Sequence, residues 1–209
     1  MKNFALLQKE KNEMIKSRED YIEYLACDAR ALGYGNSKPK WGGVSHAIYA
    51  YERLLRKYEY YNNCKKNIVY KPYQLYLKYV FRRKSIKYGF EIPLNCFGKG
   101  LSIAHIGPII INGGAKIGDN CRIHVGVNIG TSAGFSDKAP EIGNNVYIAP
   151  GAKIFGKIKI ADGIVIGANA VVNKSFLTPD ISIAGVPAKQ INSKGSKDLG
   201  KEKQISYEN

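Results

Sequence analysis

Isoleucine recurs at every sixth position along the second half of this 209-residue chain, and few folds satisfy that interval. Ile111, Ile117, Ile123 and Ile129 form one run, and Ile142, Ile148, Ile154, Ile160, Ile166 and Val172 form another. Four residues after most of them stands a second small or apolar side chain: Ala115, Cys121, Val127, Val146, Ala152, Ile158, Ile164 and Ala170. A helix returns to one face every 3.6 residues and a strand every two, so neither produces a double pattern of period six. A coil of short strands joined by tight turns does. The residues that follow the repeat positions are often glycine or alanine (Gly118, Gly130, Gly143, Ala149, Ala161, Gly167), as corners with positive φ would favour.

One step breaks the rhythm. Ile129 to Ile142 spans thirteen residues, one more than two repeats, so Thr131 to Glu141 must leave the coil as a loop. A loop on a rigid stack is a common place for binding side chains. After Val172 the run NKSFLTPDISIAGVPAKQI closes the stack, and the polar residues from Asn192 are expected to lack order. The chain thus divides into a helical region over 1–90, a coil domain over 91–191 and a polar tail over 192–209.

The first ninety residues follow a different pattern. Ser17 with Asp20 three residues on marks a helix N-terminus, and Tyr21, Ile22, Tyr24 and Leu25 continue in helical spacing toward Gly33. A second helix carries the stripe Ile48, Tyr51, Leu54, Leu55 and Tyr58, and a third runs from about Tyr73 to Lys87 behind Pro72. This region holds 19 Lys and Arg against 8 Asp and Glu, or +11 of the formal +15 of the chain. Such a balance can attract nucleic acid, an anionic membrane or phosphorylated ligands. The apolar stripe is better explained as core, and no nucleic-acid motif is present, so no nucleic-acid partner is expected.

Other classes are excluded on simpler grounds. The mean hydropathy is −0.27, no apolar run nears the ~20 residues of a membrane span, and the opening MKNFALLQKEKNEM lacks a signal-peptide core. Cys27, Cys64, Cys96 and Cys121 form no CxxC pair and read as reduced thiols of a cytoplasmic protein. A zinc-type hydration enzyme on such a coil needs three histidine ligands; the coil holds only His105 and His124, so no metal is expected. A coil that serves only as a scaffold remains an alternative to an enzyme.

Residues Glu91 to Ile191 resemble the serine acetyltransferase family and its sugar-modifying relatives among the hexapeptide-repeat acyltransferases. The runs that carry the resemblance are FGKGLSIAHIG, NGGAKIGDNCRIHVGVNIG, APEIGNNVYIAPGAKIFGKIKI, IGANAVVNKS and AGVPAK, in the family's order. The helical run DYIEYLACDARALG is similar to the family's amino-terminal helices, and LLRKYEYYNNCKK to the polysaccharide-modifying relatives. The resemblance implies a mainly β fold, a left-handed parallel β-helix behind an α-helical N-terminal region. It further implies a homotrimer with sites between subunits, and acetyl-CoA as donor for O-acetylation.

The resemblance assigns roles residue by residue. His105 stands where the family has its general base, and a base of near-neutral pKa suits removal of a hydroxyl proton. Glu91, in the run FEIP, stands where a carboxylate orients that histidine. Gly130, Thr131, Ala149, Pro150, Gly167 and Ala168 match donor-binding turns, with Lys174 and Lys189 nearer the phosphates. Lys138 corresponds to the loop cation that faces serine's carboxylate. His124, nineteen residues beyond His105 and so about one coil up, is a candidate accessory acceptor-binding residue. Two departures stand out: Ala104 replaces an aspartate that helps hold serine, and Ala139 replaces a second histidine. The expectation drawn from these losses is a sugar hydroxyl of a surface or capsular polysaccharide or its precursor, with serine as the alternative acceptor. A lipid-linked glycan would also give the basic half a peripheral contact with the inner face of a membrane.

Overall fold

The structure is a computed structural model, which describes residues 14–35, 37, 39, 42–132 and 138–199. Helix α1 spans Arg18–Ala31, and Ser17 and Asp20 close the reciprocal capping box that their spacing predicts. Helix α2 spans Val44–Cys64 and α3 spans Lys71–Tyr88, with Pro72 in the first turn of α3 and Gly89 ending it at φ 75°. On α2 the buried face is Ile48, Tyr51, Glu52, Leu55, Arg56, Glu59 and Tyr60, while Leu54 and Tyr58 are only partly buried. Tyr51 is fully enclosed, stacked on Phe81 with centroids 5.3 Å apart and edge-on to Phe90 at 4.9 Å.

The six-residue pattern becomes three parallel sheets wrapped around one apolar interior. A five-stranded sheet stacks β1 (Phe90–Glu91), β3 (Ile109–Ile111), β6 (Asn128–Gly130), β9 (Lys153–Phe155) and β12 (Val171–Val172). A three-stranded sheet stacks β4 (Lys116–Ile117), β7 (Glu141–Ile142) and β10 (Lys159–Ile160). The third sheet holds β2 (Ser102–Ile103), β5 (Arg122–Ile123), β8 (Tyr147–Ile148), β11 (Val165–Ile166), β13 (Ser182–Ala184) and an antiparallel β14 (Lys189–Asn192). In-register pairing puts isoleucine on isoleucine: Ile103, Ile123, Ile148, Ile166 and Ile183 form one ladder, each no more than 1% exposed.

The corners differ from expectation in one respect. None of Gly118, Gly130, Gly143 and Gly167 has positive φ; those values fall at Asn120 (55°), Asn145 (54°) and Asn169 (55°), two residues after Gly118, Gly143 and Gly167. Gly118 is needed because a Cβ there would run into the Asn144 side chain. That side chain is fixed by accepting from Asp119 N at 2.9 Å, and Asp119 and Asp162 repeat the bond on Lys99 N and Asn144 N. Residues 192–199 close the stack, with a short 3₁₀ turn at Ser196–Asp198; the rest of the tail, 200–209, lies outside the described residues.

Buried charge joins the helices to the first coil. Arg56, 0% exposed, donates from Nε to Asp28 at 2.8 Å, from Nη1 to Glu59 at 3.0 Å and to the Phe97 carbonyl at 3.0 Å, and from Nη2 to the Gly98 carbonyl at 2.6 Å. Asp28 also accepts from Gly100 N and Leu101 N, Glu59 from Asn95 N, and Glu52 from Ile103 N. Burial, reinforced by the nearby Asp28 charge, raises the Glu52 carboxyl well above the carboxylate range, and its Oε2 has no partner.

Two outcomes follow for stability. Arg56→Ala strands two carboxylates in the interior and should cost about 3–5 kcal/mol in urea unfolding. The Glu52 carboxyl holds its proton more tightly folded than unfolded, so rising pH ionises the unfolded chain first and stability drains away from about pH 4.3 up to the raised folded value. Glu52→Gln keeps the acceptor for Ile103 N and removes the titration. Its urea midpoint relative to the parent should climb from pH 5 to pH 8, and a constant difference would contradict the upward shift of the buried carboxyl.

Candidate active site

His105 lies in the turn that carries the chain from β2 to β3, and the fold constrains that turn from two sides. Gly107 N donates to Tyr88 O at 3.1 Å and Ile109 N to Gly89 O at 3.0 Å, so the end of α3 holds it from below. Above, Ala104 N donates to Ile123 O at 2.9 Å and Gly126 N to Pro108 O at 2.6 Å. Gly107 has φ 147°, and a Cβ there would collide with the Val125 side chain, so glycine lets the turn stack closely. His105 itself is exposed on this fixed backbone.

Every coil repeats the corner. After β5 come His124 and Val125, after β8 Ala149 and Pro150, and after β11 Gly167 and Ala168. Gly151 N donates to Val125 O and Asn169 N to Pro150 O, each at 2.9 Å, which ties the turns into one column. The structure therefore brings His105, His124, Ala149, Pro150, Gly167 and Ala168 onto a single edge. Lys189 stands exposed near its far end, paired with Ala184.

The remaining candidates lie elsewhere on the chain. Gly130 ends β6, Thr131 follows it and Lys174 follows β12, at the corner that leads toward the three-stranded sheet; the Lys174 ammonium sits 5.5 Å from the Phe176 ring centroid. Lys138 and Ala139 reach the same corner, where Ala139 Cβ would stand 3.2 Å from a Cβ on Gly114. Residues 133–137 of that loop are outside the described ones. Glu91 is exposed on β1, level with Ile110, and among the described residues it makes no hydrogen bond or ion pair with His105.

The two ring systems that the nineteen-residue offset placed near each other are neighbours. The His105 and His124 centroids are 5.8 Å apart, and the His124 and Tyr147 centroids 5.0 Å. His124 is 8% exposed, and its Nε2 is buried without a partner. Burial lowers its pKa, and the positive charge of Arg122 and the His105 ring lower it further. Arg122 donates to Ser102 Oγ at 2.8 Å. Sequence reasoning missed Arg122 and Tyr147. The signal was available, since both occupy the outward position just before a repeat isoleucine in the third sheet. Among the described residues no three His, Cys, Asp or Glu side chains group as a metal site would require.

Comparison with known proteins bears on this arrangement. No protein-family model matches the chain. A serine acetyltransferase of Staphylococcus epidermidis is 39% identical over 115 residues, which are 54% of this chain and 53% of that protein. One from Staphylococcus aureus is 41% identical over 110 residues, 51% of each chain. The chain thus spans about half the length of the curated relatives it matches. Among solved structures, serine acetyltransferase from Brucella abortus strain S19 superposes with TM-score 0.61 at 26% identity, covering 88% of this chain and 73% of that one. The same protein in complex with coenzyme A gives 0.63 at 25% identity, over 87% and 72%.

The chain is similar to serine acetyltransferases, in sequence over about half its length and in fold over most of it. These names correct the expectation of a polysaccharide sugar as acceptor. The expectation rested on the polar groups that Ala104 and Ala139 lack, whereas His124 packs beside His105 with Tyr147 behind it.

In a proton-NMR titration of the three histidines, the His124 imidazole should have its midpoint below the ordinary value of about 6.5. A midpoint at or above that value would contradict its burial against Arg122.

Proposed function

We propose that the chain is an acetyl-CoA-dependent serine O-acetyltransferase in which His105 is the general base. The observation that supports this best is the corner column: one exposed imidazole on a braced turn, followed along the same edge by the small residues Ala149, Pro150, Gly167 and Ala168. Such an edge leaves room for an extended pantetheine arm and exposes backbone polar groups to it. Lys189 at the far end would meet the phosphates of coenzyme A.

The chemistry is a single transfer. A His105 nitrogen takes the proton from serine Oγ as Oγ attacks the thioester carbonyl carbon. The C–S bond then breaks, and the same proton passes from His105 to the departing thiolate. A hydroxyl is too weak a nucleophile without a base, and a group of near-neutral pKa can both take and return the proton. No metal is invoked in this sequence.

A second chain would complete the site. Gly130, Thr131, Lys138 and Lys174 occupy a different corner from His105, so they could serve one reaction centre only from a neighbouring subunit. This favours a homotrimer with the donor groove between chains. The three helices then brace the first coil, and residues 91–191 act as the acyltransferase domain. Four free thiols, two of them with pKa pushed up to about 12 by burial at Cys96 and Cys121, suit a reducing cytoplasm. No helix among the described residues is long and apolar enough to cross a membrane.

Release of coenzyme A from acetyl-CoA should depend on L-serine, with kcat/KM of about 10⁴ M⁻¹s⁻¹ or more. His105→Ala should lower it about a hundredfold or more at little cost to acetyl-CoA affinity. Absence of serine-dependent release, or equal rates for parent and variant, would overturn the proposal. Light scattering should report three chains or a multiple; a stable monomer at micromolar concentration would remove the shared site.

A further inference from the structure

The corner column contains one unsatisfied buried atom, His124 Nε2, and its ring faces His105. A buried polar atom without a partner costs about 1–3 kcal/mol, so native chains keep one mainly where it has a use. Its surroundings define that use. Arg122 on its own strand β5 is bonded to Ser102, Tyr147 of β8 packs at 5.0 Å, and the His105 ring of the turn below lies at 5.8 Å, tilted by 56°. Two imidazoles joined edge to edge by an N–H···N bond of about 2.9 Å have centroids roughly 5 Å apart. His105 is exposed and free to swing that distance, whereas His124 is held by burial.

Resting on the reading of His105 as base, we infer that His124 is its positioning residue: the neutral His124 imidazole accepts at Nε2 a hydrogen bond from one ring N–H of His105 and so fixes the tautomer whose other nitrogen faces the serine hydroxyl. The direction of the bond is forced. Were His124 to donate instead, the one lone pair of neutral His105 would be consumed and no base would remain. With His124 accepting, proton abstraction makes His105 an imidazolium whose second N–H bond becomes charge-assisted, and such bonds are the stronger kind. His124 keeps its own proton on Nδ1 throughout, which requires that it stay neutral. Burial and the Arg122 charge favour that neutral form. The role is the one the resemblance gave to Glu91, which the structure does not bond to His105.

The test compares His124→Leu, which fills the volume and cannot accept, with His124→Gln, whose amide oxygen can. The Leu variant should lose about ten- to a hundredfold in kcat, the scale found when an orienting partner of a histidine ligand is removed, with KM for acetyl-CoA unchanged. The Gln variant should recover about tenfold of that loss. A readout independent of turnover comes from NMR: in His105→Ala the His124 midpoint should move up toward the ordinary histidine value, because a neighbouring ring that disfavours its charge has gone. Leu at within threefold of the parent, Gln no better than Leu, or a His124 midpoint indifferent to His105→Ala would each overturn the inference. A parent protein inactive toward serine would defeat the functional proposal alone, since the NMR comparison still decides whether the two rings are coupled.

Discussion

The in-register stacking of isoleucine on isoleucine is the constraint from which the rest of this molecule follows. Each strand is only two or three residues long over most of the coil, too short to persist alone. What stabilises it is burial, at about 1.5–3 kcal/mol for each fully enclosed aliphatic side chain, repeated along three ladders. A shift of one residue would turn every isoleucine outward, so the register is fixed by the same term that stabilises the coil. The corners inherit that order. Side chains that bond the next turn down, such as Asn144 on Asp119 N, demand a glycine beneath them, and the edge that carries His105 and His124 is aligned because the coils are.

The second determinant is electrostatic and joins the two halves. Arg56 is worth little as net stability, because removing a guanidinium and two carboxylates from water costs about as much as their attraction returns. Its contribution is geometric. By binding the carbonyls of Phe97 and Gly98, and through Asp28 the amides of Gly100 and Leu101, it fixes the strand that enters β2. Two residues beyond β2 is His105. The end of α3 holds the other side of the same turn, so His105 is positioned by all three helices and not by the coil alone.

Much of this was legible in the sequence because it is periodic or local. The six-residue interval located the coil, the Ser17–Asp20 spacing located the start of α1, and the offset of nineteen put His124 beside His105. What was illegible depends on contacts between residues far apart in the chain. Nothing local marks Arg56 as the partner of Asp28, twenty-eight positions away, or separates the buried Glu52 from a solvated helix charge. Gly118 was read correctly as a corner and wrongly as a φ > 0 residue, since the collision that requires glycine comes from a side chain on the next coil. The acceptor expectation failed for a related reason: it rested on the groups that Ala104 and Ala139 lack, while the rings packed near His105 come from other coils.

The buried carboxylates have one more consequence. A stack of parallel strands has two open ends, each a template for another coil, and identical coils added end to end would make a fibre. Here both ends are occupied by groups that cannot be extended. At the lower end Asp28 and Glu52 accept the amides of Gly100, Leu101 and Ile103, the bonds that a preceding coil would otherwise have supplied. At the upper end β14 runs against the direction of every other strand, and the turn from Gly185 to Ala188 bonds both sides of Val171. The molecule is a filament stopped at a set length, and its helices are as much a guard against polymerisation as a support for chemistry.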